Sequence, residues 1–122
     1  MEKEPVIAKD FPRFDLKGKI ALITSAARGL GNACALACAH AGADIALGLR
    51  DVTSGAALVK EIEALGRRAL PLQMNMTLLS EIRAGVEQTV KHFGRLDILL
   101  NNAYCITVTP LEIAPGFMRG RG

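Results

Sequence analysis

The sequence predicts an α/β fold built on a parallel sheet, and three observations support this prediction. Short apolar runs alternate with segments of helical period from residue 19 to about residue 100. A glycine follows each helical segment, where it can end the helix. A glycine-containing turn joins the first apolar run to the first helical segment. With right-handed crossovers, this order gives a doubly wound sheet of order 3-2-1-4, with two helices on one face and the third on the other.

Four apolar runs are interpreted as buried strands, namely Ile20–Thr24, Asp44–Leu49, Ala69–Met74 and Leu96–Leu100. The first helical segment, Asn32–Ala41, consists mainly of small residues. The second is expected to begin at a cap formed by Thr53 or Ser54, and the third at a cap formed by Thr77. The second and third segments each place their large apolar residues on one helical face.

The 122 residues suffice for one domain, and a hydrophobic content of 50% argues against disorder. We expect a charged lead-in over residues 1–17, a single domain over residues 18–104 and an irregular tail over residues 105–122. The tail is rich in proline and glycine and shows no sustained period.

Composition excludes several classes of function. Aromatic residues make up 4% of the chain, which is too few for a surface that stacks nucleobases. The net charge of +3 includes Arg119 and Arg121 in the tail, so the rest is nearly neutral and no nucleic-acid partner is expected. No apolar run is long enough to span a membrane. The charged N-terminus and the odd number of cysteines, three, predict a cytoplasmic location with reduced thiols.

The first turn, Thr24–Gly31, carries the strongest chemical indication. Small residues between a strand and a helix let the backbone approach a pyrophosphate, and the helix N-terminus offers free N–H groups and partial positive charge. A strand before the turn and a helix after it make such a motif specific for dinucleotides. The alternative is an ordinary tight connection that binds nothing.

These residues resemble motifs of the short-chain dehydrogenase/reductase family, which has a single-domain Rossmann-type form. The family's Thr-Gly-x-x-x-Gly-x-Gly motif is matched by Thr24, Gly29 and Gly31, and Ser25 replaces its first glycine. The Cβ of Ser25 costs about 1 kcal/mol or more if φ is positive there, and nothing if φ is negative.

A second family motif, Asn-Asn-Ala-Gly, follows the fourth strand. Asn101, Asn102 and Ala103 match it, and Tyr104 stands in place of its glycine. The ring of Tyr104 is expected either to cover the cofactor cleft or to turn into solvent. The resemblance covers about residues 14 to 103.

The resemblance implies a nicotinamide dinucleotide as cofactor, and hydride transfer between its nicotinamide and a carbonyl or alcohol. By the same resemblance, Asn75 and Met76 frame the adenine, Asn102 and Ala103 lie near the cofactor's ribose, and Asn101 bonds the neighbouring strand. The full set of expected cofactor-binding residues is Thr24, Ser25, Ala27, Arg28, Gly29, Leu30, Gly31, Arg50, Asn75, Met76, Asn102 and Ala103.

The end of the second strand indicates which nucleotide is preferred. Enzymes that prefer NAD place an acidic residue there to bond the ribose 2′-hydroxyl, and Leu49 cannot do so. Arg50 follows it, and a guanidinium suits the 2′-phosphate of NADP. Arg28 resembles a second basic residue of NADP-dependent members. We therefore expect NADP(H) rather than NAD(H), although Asp51 is placed where it could neutralise Arg50.

The family's Tyr-x-x-x-Lys motif does not occur, because Tyr104 is the single tyrosine and Val108 stands four positions after it. The family's catalytic Ser is also missing, since residues 104–122 contain no serine. Two hypotheses follow. The chain is either the cofactor-binding half of an oxidoreductase, truncated and inactive alone, or a non-enzymatic module that binds a nucleotide or a partner. In both cases the strand Leu96–Leu100 has an open apolar edge, so we expect self-association through it unless the tail Thr107–Gly122 folds over it.

Overall fold

A four-stranded parallel sheet of order β3-β2-β1-β4 forms the centre of the protein. This computed structural model describes residues 15–102; most of the predicted lead-in, the predicted tail, Ala103 and Tyr104 lie outside them. Its elements are β1 (Ile20–Thr24), α1 (Gly29–His40), β2 (Asp44–Leu49), a 3₁₀ turn (Val52–Gly55), α2 (Ala56–Ala64), β3 (Ala69–Gln73), α3 (Leu79–Phe93) and β4 (Ile98–Leu100). The predicted strand order is confirmed.

Strand β1 is entirely buried, since it pairs with β2 on one side and with β4 on the other. Its first N–H group, that of Ile20, donates a hydrogen bond of 2.8 Å to Oδ2 of Asp97. Hydrogen bonds from the Arg95 side chain and from this N–H lower the pKa of Asp97. The carboxylate of Asp97, the residue just before β4, therefore fixes the start of β1 next to the start of β4.

The two faces of the sheet have separate cores, because side chains alternate along each strand. Helices α1 and α2 cover one face, where they pack Ala35, Ala39, Leu58 and Ile62 against the strands. Helix α3 covers the other face with its half-buried residues, among them Val86 and Phe93. The predicted distribution of helices is confirmed. None of the helices within residues 15–102 has the length and apolar character to cross a membrane.

The predicted caps, Thr53 or Ser54 for α2 and Thr77 for α3, are wrong, because Gly55 and Leu78 stand at the cap positions and make no side-chain capping bond. Thr53 and Ser54 lie inside the 3₁₀ turn, and Oδ1 of Asp51 accepts hydrogen bonds from N (3.0 Å) and Oγ1 (2.8 Å) of Thr53. Thr77 precedes α3 by two residues, and Oδ1 of Asn75 accepts from its N (3.0 Å) and Oγ1 (2.7 Å). In each case the Asx side chain closes a turn two residues on, which uses the threonine that could have capped the helix.

The predicted bounds of β1 and β2 are confirmed, and some ends of α1, β3 and β4 differ by one to three residues from those predicted. Helix α1 begins at Gly29 rather than Asn32, β3 ends at Gln73, and β4 begins at Ile98 rather than Leu96. Glycines end α2 and α3 as predicted, with φ of 80° at Gly66 and 86° at Gly94. Element ends depend on turn geometry, which apolar periodicity does not report.

Strand β4 leaves one edge of the sheet open among residues 15–102, because it pairs only with β1. Leu99 on this strand is 59% exposed. We predict that the 122-residue chain self-associates through this edge and that Leu99→Lys weakens the association, because it brings like charges together. Light scattering over a concentration series measures the effect.

Val90→Lys is the matched control, since Val90 is also exposed (43%) but lies on α3. A wild-type chain that stays monomeric at high concentration would contradict the prediction. So would a Leu99→Lys variant that associates as strongly as the control.

Candidate cofactor-binding site

The turn between β1 and α1 is held in a strained conformation at Ser25. This residue has φ of 52°, and it is the only non-glycine residue with positive φ among residues 15–102. Of the two alternatives for Ser25, a positive and a negative φ, the positive one is observed. It costs about 1 kcal/mol or more relative to glycine. Gly29, the next matched position of the motif, also has positive φ, 63°.

Gly31 lets the first turn of α1 approach the end of β1. A Cβ at this buried position would overlap the carbonyl oxygen of Ser25 and lie 2.8 Å from Nδ2 of Asn102. No L-residue with a side chain fits there without movement of the backbone. The glycine therefore brings the helix N-terminus close to the turn.

The N-terminus of α1 has no anionic partner within the described part of the chain. Its cap residue, Arg28, makes no side-chain capping hydrogen bond, and its first turn contains no acidic residue. The first N–H groups of a helix have no partners inside the helix, and together they carry partial positive charge. This end of α1 is therefore suited to an anionic group such as a phosphate.

The residues after β4 bond directly to the end of β1. Oγ1 of Thr24 accepts a 2.8 Å hydrogen bond from N of Asn102 and donates a 3.4 Å bond to Oδ1 of Asn101. Nδ2 of Asn102 donates to the carbonyl oxygen of Ser25 at 3.5 Å. Asn101 thus makes the bond to the neighbouring strand that the sequence led us to expect, and Asn102 lies against the turn.

Two arginines border this region with their guanidinium groups unpaired. Arg28 and Arg50 are exposed, and the ion pairs found among residues 15–102 join other residues. Leu49 is fully buried in the core under α2. Asp51 does not pair with Arg50, because its carboxylate binds Thr53. Those side-chain and backbone hydrogen bonds from Thr53 lower the pKa of Asp51.

Two polar residues near this region are absent from the residues predicted from the sequence, namely Gln73 at the end of β3 and Glu81 in the first turn of α3. Gln73 bonds the backbone on both sides of Asp51, and Oε1 of Glu81 accepts a 2.7 Å bond from N of Asn75. Neither residue belongs to a glycine motif, and an isolated polar residue at a strand end carries no periodic pattern. Their roles depend on how close separate elements lie in the folded chain, and the sequence does not give that distance.

An apolar cavity of about 190 Å³ lies on the α3 face, near the ends of β1, β3 and β4. Thr24, Met76 and Asn101 line it together with five apolar side chains, those of Leu22, Met74, Ile82, Val86 and Leu99. Met76, predicted to frame the adenine, is half-buried in its wall, and Asn75 is half-buried beside it.

Cys34 and Cys38 are one helical turn apart on α1, are half-buried and form no disulfide with each other. Burial, with a smaller contribution from Cys34, raises the pKa of Cys38. Among residues 15–102, no three histidine, cysteine or acidic side chains are placed to hold a metal ion.

The fold and the turn define a class, the doubly wound α/β proteins that bind dinucleotides beyond the carboxyl ends of their strands. The sequence matches the family model described as short chain dehydrogenase over residues 19–114, and the chain belongs to that family. Members of this family bind a nicotinamide dinucleotide.

Relatives of known name include hydroxynaphthalene reductase of Aspergillus fumigatus, 38% identical over 98 residues, or 80% of this chain and 36% of the relative. Another is 2-dehydro-3-deoxy-D-gluconate 5-dehydrogenase of Dickeya dadantii, 42% identical over 74% of this chain and 35% of the relative. The chain therefore spans about a third of the length of these relatives.

Solved structures of similar fold include a short-chain type dehydrogenase/reductase from Mycobacterium marinum, with a TM-score of 0.77 and 37% identity. The match covers 82% of this chain and 41% of that one. A short chain dehydrogenase from Mycobacterium paratuberculosis, bound to NAD, matches with a TM-score of 0.75 and 28% identity over 81% of this chain and 41% of its own.

We predict that Ser25→Gly stabilises the chain by about 1 kcal/mol, since glycine adopts positive φ without steric cost. Urea denaturation of the 122-residue chain measures the change. Ser25→Ala is the matched control, because it removes the hydroxyl and keeps the Cβ. Equal stability of the glycine and alanine variants would contradict the role assigned to the backbone.

Proposed function

We propose that this chain is the cofactor-binding portion of an NADP(H)-dependent oxidoreductase. The observation that carries the proposal is the pair at the end of β2, where Leu49 is buried and the unpaired guanidinium of Arg50 is exposed. Its family membership supports a nicotinamide dinucleotide, and this pair supports the choice between the two forms. We also propose a cytoplasmic location, in keeping with the free thiols of α1.

The residues of the first turn fit a pyrophosphate. The backbone at Gly31 lies against the turn, and the helix N-terminus has no acidic residue to compete with a phosphate. The N–H groups of Leu30 and Gly31 would bond the pyrophosphate, and Thr24, Ser25, Ala27 and Gly29 would shape the turn around it. Asn102 and Ala103 would lie near the ribose, and Asn75 and Met76 near the adenine.

The nucleotide preference follows from charge at the adenosine end. A buried leucine offers no acceptor to a ribose 2′-hydroxyl, whereas Arg50 and Arg28 can form charge-assisted hydrogen bonds with a 2′-phosphate. Oδ1 of Asp51 accepts its hydrogen bonds from Thr53, and among residues 15–102 Asp51 forms no ion pair with Arg50.

The reaction of the whole protein, we propose, is hydride transfer between the nicotinamide, which supplies or accepts the hydride, and a carbonyl or alcohol. Proton transfer to the substrate oxygen needs a placed acid such as the family's tyrosine. In residues 1–122 the single tyrosine, Tyr104, has no lysine four positions on. That absence is common to the proposed function and to the alternative, a module that binds nucleotide or a partner without catalysis.

We predict that the chain binds NADP⁺ more tightly than NAD⁺, and that Arg50→Ala reduces this preference about tenfold, the value of one charge-assisted bond. Isothermal titration with both nucleotides measures the ratio. Arg83→Ala is the matched control, because Arg83 is an exposed arginine on α3. Equal wild-type affinities would contradict the proposal, as would an unchanged ratio in Arg50→Ala.

We predict that the purified 122-residue chain reduces no carbonyl substrate with NADPH. Binding a cofactor does not lower the barrier to hydride transfer unless a proton donor and an orienting group are in place. The absorbance of NADPH at its nicotinamide band, followed against a panel of aldehydes and ketones, checks this. Turnover that persists across independent preparations would show that other residues supply the proton.

A further inference from the structure

The backbone ladder between β2 and β3 stops just before Arg50. The last regular partners are Leu49 and Gln73, and the last ladder bond runs from N of Met74 to the carbonyl oxygen of Leu49, 2.6 Å. Beyond Leu49 the chain leaves the sheet and enters the 3₁₀ turn. The backbone of Arg50 and Asp51 therefore has no strand partner among the described residues.

The side chain of Gln73 replaces the missing strand. Its Nε2 donates a 2.6 Å hydrogen bond to the carbonyl oxygen of Arg50, and its Oε1 accepts a 3.2 Å bond from N of Val52. A primary amide carries the same donor and acceptor as a peptide group, so it can continue a ladder where the backbone ends. Both bonds fall on the two residues that flank Asp51.

Glu81, in the first turn of α3, holds this amide from the other side. Its Oε1 lies 3.4 Å from Nε2 of Gln73 and accepts the 2.7 Å bond from N of Asn75. Nε2 has two hydrogens, so it can serve Arg50 and Glu81 together. The amide is thus tied to α3 and to the strand end that carries Asn75.

We propose that Gln73 is a positioning residue that sets the preference for NADP(H) by fixing the backbone of Arg50. This inference rests on the proposed function. Among residues 15–102 the exposed guanidinium of Arg50 forms no ion pair, and the hydrogen bond from Gln73 is made to the backbone of Arg50. A fixed backbone lowers the conformational entropy lost when the side chain closes on a phosphate, and affinity rises accordingly.

The two hydrogen bonds that Gln73 makes, to O of Arg50 and from N of Val52, here called the Gln73 bracket, also favour the backbone conformation in which the Asp51 carboxylate bonds Thr53 rather than Arg50. The bond from N of Val52 to Gln73 holds the chain in the turn in which the Asp51 carboxylate binds Thr53. If the bracket is removed, Arg50 moves more freely and Asp51 can leave Thr53 to pair with it. Both changes weaken binding to a 2′-phosphate and leave binding to the rest of the dinucleotide unchanged.

The test compares Gln73→Met with Gln88→Met in the 122-residue chain. Methionine keeps the length of the side chain and lacks the amide; Gln88 is an exposed glutamine on α3. We expect Gln73→Met to lower the ratio of NADP⁺ to NAD⁺ affinity about fivefold, the range of one hydrogen bond, with NAD⁺ affinity unchanged. Gln88→Met should leave the ratio unaltered.

Three outcomes separate the two proposals. A wild-type chain without preference for NADP⁺, or a ratio insensitive to Arg50→Ala, overturns the proposed function. A wild-type preference that Arg50→Ala abolishes and Gln73→Met preserves overturns the role of Gln73 alone. If Gln73→Met does not fold, Gln73→Asn carries the test, since its amide is one methylene too short to reach both groups. A preserved ratio in that variant also overturns the inference.

Discussion

The arrangement of the whole α1 layer depends on the contact between the Ser25 carbonyl and Gly31. Because no Cβ stands between them, the helix begins close to the end of β1. The fully buried residues of α1 are the small Gly31, Ala35 and Ala39, and the half-buried Leu36 and Cys38 pack against the same core.

The strain at Ser25 is supported by three elements rather than by the turn alone. N of Ala26 donates a 3.2 Å bond to the carbonyl oxygen of Gly48 in β2, and Asn102 after β4 donates to Ser25 itself. Helix α1 blocks the turn from the third side through Gly31. A strained φ persists where the surroundings determine it from several directions, and such positions concentrate at binding sites.

The strands and their order could be predicted because apolar runs and right-handed crossovers leave few alternatives. The starts of the helices that follow β2 and β3 could not be predicted, because the same short motif precedes both helices and forms a turn instead of a helix cap. Asp51-Val-Thr53 and Asn75-Met-Thr77 are both Asx-x-Thr sequences, and each closes an Asx turn that takes up the threonine hydroxyl. The bracket of Gln73 was invisible for another reason, since it joins residues 23 positions apart.

These two turns are alike in geometry and differ in charge, and the difference bears on nucleotide choice. After β2 the Asx residue is Asp51, whose Oδ1 accepts two hydrogen bonds from Thr53 and whose pKa they lower, so it stays ionised. Among residues 15–102 it forms no ion pair with Arg50. After β3 the Asx residue is Asn75, which makes the same turn without a charge of its own, and the carboxylate beside it is that of Glu81, which accepts a bond from N of Asn75. The similarity in fold to a dehydrogenase bound to NAD does not decide between NADP(H) and NAD(H) for this chain, because function resides in the residues placed on a fold. What distinguishes the site is which charged groups the turns hold in hydrogen bonds and which they leave available to a ligand among the described residues.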